Sequence, residues 1–154
     1  MSVDVGSKAP DFTLPNQDRE PVTLSEQGGK HVVLAFFPAA FTGVCTKELC
    51  TFRDTLAQLN DANATVFGIS ADTPFALKEF ADQQRLNFPL LSDFNRTAID
   101  AYGVANPDMG GLKGIAKRAV FVIDGSGVVR HKEITANPGV EPDYEKINTT
   151  LSAL

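Results

Sequence analysis

His31-Val-Val-Leu-Ala-Phe-Phe-Pro-Ala-Ala-Phe-Thr-Gly-Val-Cys45 is the stretch that decides the fold. After His31 its next six residues are continuously apolar, the pattern of a strand buried on both faces rather than one with a solvent side. Pro38 ends that run, and from Thr42 the period changes. Cys45, Leu49, Phe52, Leu56 and Leu59 recur at steps of 4, 3, 4 and 3, one face of an amphipathic helix ending near Asn60. A buried strand feeding such a helix through a short turn is the opening half of a crossover unit.

The same alternation continues on both sides. Asp11-Phe-Thr-Leu14 and Pro21-Val-Thr-Leu24 flank a polar turn and read as two short paired strands. Thr65 to Ser70 is a second strand. Thr73-Pro74 offers an N-cap and a first-turn proline to a helix carrying Phe75, Leu77, Phe80 and Ala81. Phe88 to Leu91 is strand-like, Thr97 to Tyr102 a short helix closed by Gly103, and Asn106 to Gly114 a loop of a length that usually has a function. Ala119 to Ile123 and Val128 to Ile134 surround Asp124-Gly-Ser-Gly127, a hairpin signature, and a last helix spans about Pro142 to Leu151. The order predicts an α/β chain: a central mixed β-sheet flanked by helices, thioredoxin-like in arrangement, with an N-terminal β extension. No repeat or linker divides it, so residues 1–154 are expected to form one domain.

Composition narrows the function. The chain has 154 residues and a net charge of −5, with no Lys/Arg cluster, which argues against nucleic acid as a partner. The longest apolar run, Val32 to Phe41, is about half a membrane span and contains Pro38, so no membrane segment is expected. The N-terminal residues lack the basic and apolar blocks of a signal peptide, and a cytoplasmic location is expected. In that compartment two cysteines suit a transient or catalytic role better than a permanent staple. With two distant histidines, His31 and His131, they make a poor zinc site.

Cys45 falls in the first turn of the predicted helix, among backbone N–H groups that lack helical partners and at the positive end of the dipole. Both favour the thiolate, the reactive form. Thr42 is placed to lay its hydroxyl over the same point as an N-cap, and Pro38 to shape the turn and shield the thiol. Glu48, one turn beyond Cys45, would oppose a thiolate unless a cation from elsewhere compensates it. The plain alternative is that Cys45 is a small buried hydrophobe on the helix stripe. Cys50 lies about 140° and 7.5 Å further along the helix, putting the two Cα atoms roughly 8–9 Å apart. A disulfide needs less than about 7 Å. Either Cys50 is a bystander or the first turns unwind to let it reach an oxidised Cys45.

Phe36-Phe-Pro-Ala-Ala-Phe-Thr-Gly-Val-Cys45-Thr-Lys-Glu48 resembles the active-site segment of peroxiredoxins, with its Pro-x-x-x-Thr-x-x-Cys core. Ala9-Pro-Asp-Phe12, Phe88-Pro-Leu-Leu-Ser-Asp93, Tyr102-Gly-Val104 and Arg118 before an apolar strand extend the likeness along nearly the whole chain. Within the family the chain is similar to the alkyl hydroperoxide reductase E-like group. Cys50 departs from that group's one-cysteine pattern and is similar instead to the resolving cysteine of the Q-type, bacterioferritin comigratory members. Gly110-Gly-Leu112 superficially resembles an overoxidation-sensitivity motif but lies in the wrong place along the chain to be carried over.

The resemblance implies a thiol-dependent peroxidase acting on hydrogen peroxide and organic hydroperoxides. It makes Cys45 the peroxidatic cysteine, Pro38 and Thr42 its motif partners, and Arg118 the cation that also pairs with Glu48. From the residues alone Lys117 is the equal of Arg118. It further implies a thioredoxin- or glutaredoxin-type reductant, resolution by Cys50 or an external thiol, and no metal or organic cofactor. A homodimer is expected partly from the family and partly from Phe41, an aromatic in the loop before the catalytic helix. The competing readings are a thiol–disulfide oxidoreductase, weakened by the lack of C-x-x-C, and a non-catalytic binding or holdase protein.

Overall fold

A computed structural model describes residues 3–154, with side chains throughout except Leu56 and Ala57; Leu56, on the predicted helix stripe, therefore falls outside the described side chains. The chain opens with an antiparallel hairpin, β1 (Thr13–Pro15) and β2 (Pro21–Thr23), in which Leu14 faces Val22. Then follow β3 (His31–Phe36), α1 (Gly43–Asp54), α2 (Leu56–Asp61), β4 (Ala64–Ser70) and α3 (Pro74–Gln84). The remainder is β5 (Leu90–Ser92), α4 (Thr97–Ala101), β6 (Ala119–Ile123), β7 (Val129–Ile134) and α5 (Tyr144–Ser152).

The strands from β3 onward form one sheet in the order β5-β4-β3-β6-β7. It is parallel across β5, β4 and β3 and antiparallel across β6 and β7, the mixed sheet the element order predicts. β3 lies at its centre: Leu34 faces Phe67 on one side and Phe121 on the other. Its alternate residues feed two cores, which explains the unbroken apolar run. Val32, Leu34 and Phe36 join Phe12, Leu14, Ile99 and Tyr102 on one face. Val33, Ala35 and Phe37 meet Cys45, Leu49, Phe52, Phe80 and Ile147 on the other, beneath α1, α3 and α5. At Gly68 a Cβ would come within 2.7 Å of Leu90 Cδ2 and 3.3 Å of the Phe37 ring, so a larger residue there on β4 would force the core side chains to move.

Three details differ from the sequence reading. The helix from Thr42 does not run unbroken to Asn60: it stops at Asp54, and α2 restarts at Leu56. The hydroxyls of Thr46, Thr51 and Thr55 donate to the carbonyls four residues back, Thr42, Lys47 and Thr51, at 2.8, 2.8 and 3.0 Å. Such back-bonding competes with the helical ladder and bends helices. Phe75, predicted on the packed face of α3, is 67% exposed, because the buried stripe is carried by Leu77, Phe80 and Ala81. The last helix begins at Tyr144, where Asp143 Oδ1 caps it by accepting from Lys146 N–H at 3.1 Å. No helix among the described residues is long and apolar enough to cross a membrane.

Candidate active site

The carboxyl ends of β3, β4 and β5 lie along one edge of the sheet, and the chain leaving β3 there builds the site. Thr42 is the N-cap residue of α1, with extended backbone at φ −97° and ψ 152°. The helical ladder starts with Thr46 N–H donating to Thr42 O at 2.9 Å, so the amides of Gly43, Val44 and Cys45 have no helical acceptor. Cys45 is the third residue of the helix and is wholly buried. The Thr42 hydroxyl does not cap the helix as its position suggested. It donates to Ala39 O at 2.8 Å, tying the loop to itself. Pro38 is buried at the turn out of β3.

Arg118 enters from the residue before β6. Its Nη2 donates to Cys45 Sγ at 3.0 Å, its Nη1 to Glu48 Oε1 at 3.1 Å, and its Nε to Pro138 O at 3.0 Å. The guanidinium is only 2% exposed, so a solvated strand-end charge is ruled out. Its own carbonyl accepts from Thr135 N–H at 3.0 Å, which fixes the arginine to the chain beyond β7. Lys117, its equal in the sequence, is half-exposed and engages Val104 O only through its backbone N–H, at 2.7 Å.

Glu48 is wholly buried, and its Oε2 has no hydrogen-bond partner. Burial pushes its carboxyl up to about 8; Arg118 opposes that shift without cancelling it, and Glu141 and Glu133 add repulsion. Burial thus works against ionisation of Glu48 even beside Arg118. One buried guanidinium is shared between the Glu48 carboxyl and the Cys45 sulfur.

Cys50 belongs to a different neighbourhood. It is half-buried, and its Sγ donates to Gln84 Oε1 of α3 at 3.5 Å. Both cysteines are free thiols, and α1 is continuous between them, so helix geometry holds them beyond disulfide reach. Sequence reasoning missed Asp72, which follows β4 and accepts the Ala40 N–H through Oδ2 at 2.8 Å. A lone aspartate after a strand looks like any turn residue, and only the fold shows which loop it faces. Pro138, whose carbonyl holds Arg118, carried no sequence signal either.

A buried thiol in a helix's first turn, bonded to a buried arginine on a thioredoxin-like sheet, defines a thiol-chemistry enzyme. Residues 5–132 match the AhpC/TSA family. The chain is 41% identical over 155 residues to alkyl hydroperoxide reductase E of Mycobacterium tuberculosis, covering 99% of this chain and 98% of that one. It is 44% identical over 132 residues to putative peroxiredoxin bcp of Coxiella burnetii, covering 84% and 87%. The crystal structure of peroxidoxin BcpB from M. tuberculosis superimposes with a TM-score of 0.87 at 34% identity, over 99% of this chain and 98% of that one. The chain belongs to the AhpC/TSA family of peroxiredoxins and is a thiol-dependent peroxidase.

Proposed function

We propose that Cys45 is the peroxidatic nucleophile, with Arg118, Thr42, Pro38 and Glu48 forming its site and Cys50 resolving it. The observation that carries this reading is the 3.0 Å hydrogen bond from Arg118 Nη2 to Cys45 Sγ, both side chains buried. It puts a fixed, buried, positively charged donor on the sulfur that would attack. The thiolate attacks the terminal oxygen of hydrogen peroxide or an organic hydroperoxide. An S–O bond forms and the O–O bond breaks; the leaving oxygen takes a proton and departs as water or alcohol, leaving a sulfenic acid on Cys45. Arg118 and the first-turn amides stabilise charge on the two oxygens in the transition state. Pro38 keeps water from the sulfur. Glu48 positions the guanidinium by accepting from its Nη1.

In the second half of the cycle the Cys50 thiolate attacks the sulfenyl sulfur, the S–S bond forms, and hydroxide leaves as water. Because α1 holds the cysteines apart, its first turns must unwind; an external thiol is the alternative resolver. A thioredoxin- or glutaredoxin-type dithiol then reduces the disulfide by exchange. None of these steps calls on a metal or an organic cofactor. Two free thiols suit the reducing cytoplasm.

The reading includes a homodimer formed through the sheet edge that carries the site. Phe41, Phe75 and Phe94 follow the ends of β3, β4 and β5 and are 51%, 67% and 54% exposed. Phe41 also packs edge-on to Phe80 within its own chain, with centroids 5.2 Å apart. The deciding experiment is the intact mass of the reduced protein after one equivalent of hydrogen peroxide. Loss of two hydrogens, with Cys45 and Cys50 joined in the peptide map, is expected. A lasting gain of one oxygen on Cys45 keeps the nucleophile but assigns resolution to an external thiol, and an unmodified Cys45 overturns the reading.

A further inference from the structure

The loop from Pro38 to Thr42 sets the start of α1, yet it has little regular bonding of its own. Among the described residues, one backbone N–H of this loop has a protein partner: Ala40 N–H, which donates to Asp72 Oδ2 at 2.8 Å. The next residue, Phe41, has a φ of 67°, a left-handed conformation that a bulky aromatic holds only when its surroundings impose it. Ala40 itself packs against the core cluster that contains Cys45.

Asp72 is in turn fixed by the sheet. The buried Ser70 at the end of β4 donates its hydroxyl to the same Oδ2 at 2.7 Å and accepts the Asp72 N–H at 3.3 Å. The buried Ser92 at the end of β5 donates to Asp72 O at 2.6 Å. The ends of β4 and β5 therefore aim one carboxylate at the loop that leaves β3. A carboxylate accepting a backbone N–H makes one of the stronger hydrogen bonds a loop can have.

We propose that Asp72 is a positioning residue of the peroxidase: by accepting the Ala40 amide it holds the Pro38–Thr42 loop against Cys45 and keeps the first-turn amides where a peroxide needs them. This rests on the assignment of Cys45 as the nucleophile. The role has a signature that general loss of stability lacks. Attack on a peroxide needs the loop and amides in register, whereas alkylation by iodoacetamide needs only a thiolate and access. Freeing the loop should harm the first reaction and help the second, because Cys45 is wholly buried with the loop in place.

The test compares Asp72→Ala with the wild type by quenched-flow intact mass. One arm follows Cys45 oxidation by hydrogen peroxide and the other its alkylation by iodoacetamide. Oxidation is expected to slow by about ten- to hundredfold, the range for a small displacement of positioned groups, while alkylation is at least as fast as in the wild type. An unchanged oxidation rate, or a parallel fall in both rates, overturns the proposal. Asp72→Asn keeps an acceptor for Ala40 and should lie between the two, with oxidation slowed by a smaller factor and alkylation not slowed. It is judged by the same criteria if Asp72→Ala does not fold. Cys45→Ser separates the layers: peroxide consumption by that variant would remove the assignment of Cys45 itself, whatever Asp72 does.

Discussion

Cys45 and Cys50 share helix α1 and are separated by little more than one turn, yet they differ in burial, in hydrogen-bond partner and in distance from the helix start. Cys45 is wholly buried with a guanidinium at 3.0 Å and unbonded first-turn amides beside it. Cys50 is half-buried, beyond the first turn, and meets the neutral amide of Gln84 at 3.5 Å. The difference teaches that the helix start gives the first thiol its local advantage, while its cation comes from 73 residues away. The second thiol lies past the helix start, and the cation near it is the Arg53 side chain, which bonds Gln84 O and Asp54 instead of the sulfur. That contrast is what supports the proposal of Cys45 as the nucleophile and Cys50 as its resolving partner.

The largest expected effect would break the comparison at its base. Cys45→Ser should abolish thiol-dependent peroxide consumption, because a hydroxyl cannot supply an anion at this site near neutral pH. Turnover above a trace in a coupled assay would transfer the role to Cys50 and invert the comparison. Next comes Arg118→Ala, which leaves Cys45 with its helix amides alone. Loss of one pre-placed donor to a reacting anion typically costs about a hundredfold or more in rate. The peroxide step should slow on that scale, and iodoacetamide should alkylate Cys45 more slowly at neutral pH. An unchanged alkylation profile would reduce Arg118 to a structural ion pair.

A smaller effect sharpens the electrostatics. The Glu48 carboxyl is held at about 8 in the fold, above the ordinary value of 4.5. Between those values the folded protein binds a proton that the unfolded chain releases, so stability falls as pH rises. The contribution is full below about pH 4.5 and is lost through about pH 8. Glu48→Gln removes this term. Urea unfolding should therefore show the wild type losing stability relative to Glu48→Gln as pH rises from 5 to 8. Parallel curves would mean that Glu48 is ionised throughout and paired fully with Arg118.

Much of this was legible in the sequence because it is local. The unbroken apolar run of β3, the change of period at Thr42 and the Thr73-Pro74 cap each reflect one element's own geometry, and each element forms there. The break at Thr55 was not legible, because three well-spaced threonines look like neutral helix residues until their hydroxyls are seen on the ladder. Choosing Arg118 over Lys117 needed the fold: both precede β6, and only the Arg118 side chain turns inward, to Cys45 and Glu48. The Thr42 hydroxyl was misplaced for the converse reason. Its position is that of a cap, but in the fold the hydroxyl turns to donate to Ala39 O and accepts no first-turn N–H.

The smallest effect on the first chemical step, and the sharpest test of the second cysteine, comes from Cys50→Ser. Forming a Cys45–Cys50 bond requires the first turns of α1 to open, and two features favour that. Helix N-termini fray at low cost compared with helix middles, and the hydroxyls of Thr46 and Thr51 already occupy the carbonyls of Thr42 and Lys47. Against it stand Leu49 and Phe52, both buried in the core beneath the helix. Exposing them fully would cost on the order of a few kcal/mol, so the opening must stop short of that stripe or be transient. Cys50→Ser should change the rate of Cys45 oxidation little, since Cys50 touches neither the sulfur nor Arg118. It should convert the product from a disulfide to a sulfenic acid that further peroxide carries to the sulfinic state. Turnover supported by thioredoxin should fall with it. If that turnover is undiminished and the wild type forms no intramolecular disulfide, Cys50 is structural, and the cycle runs on Cys45 and an external thiol alone.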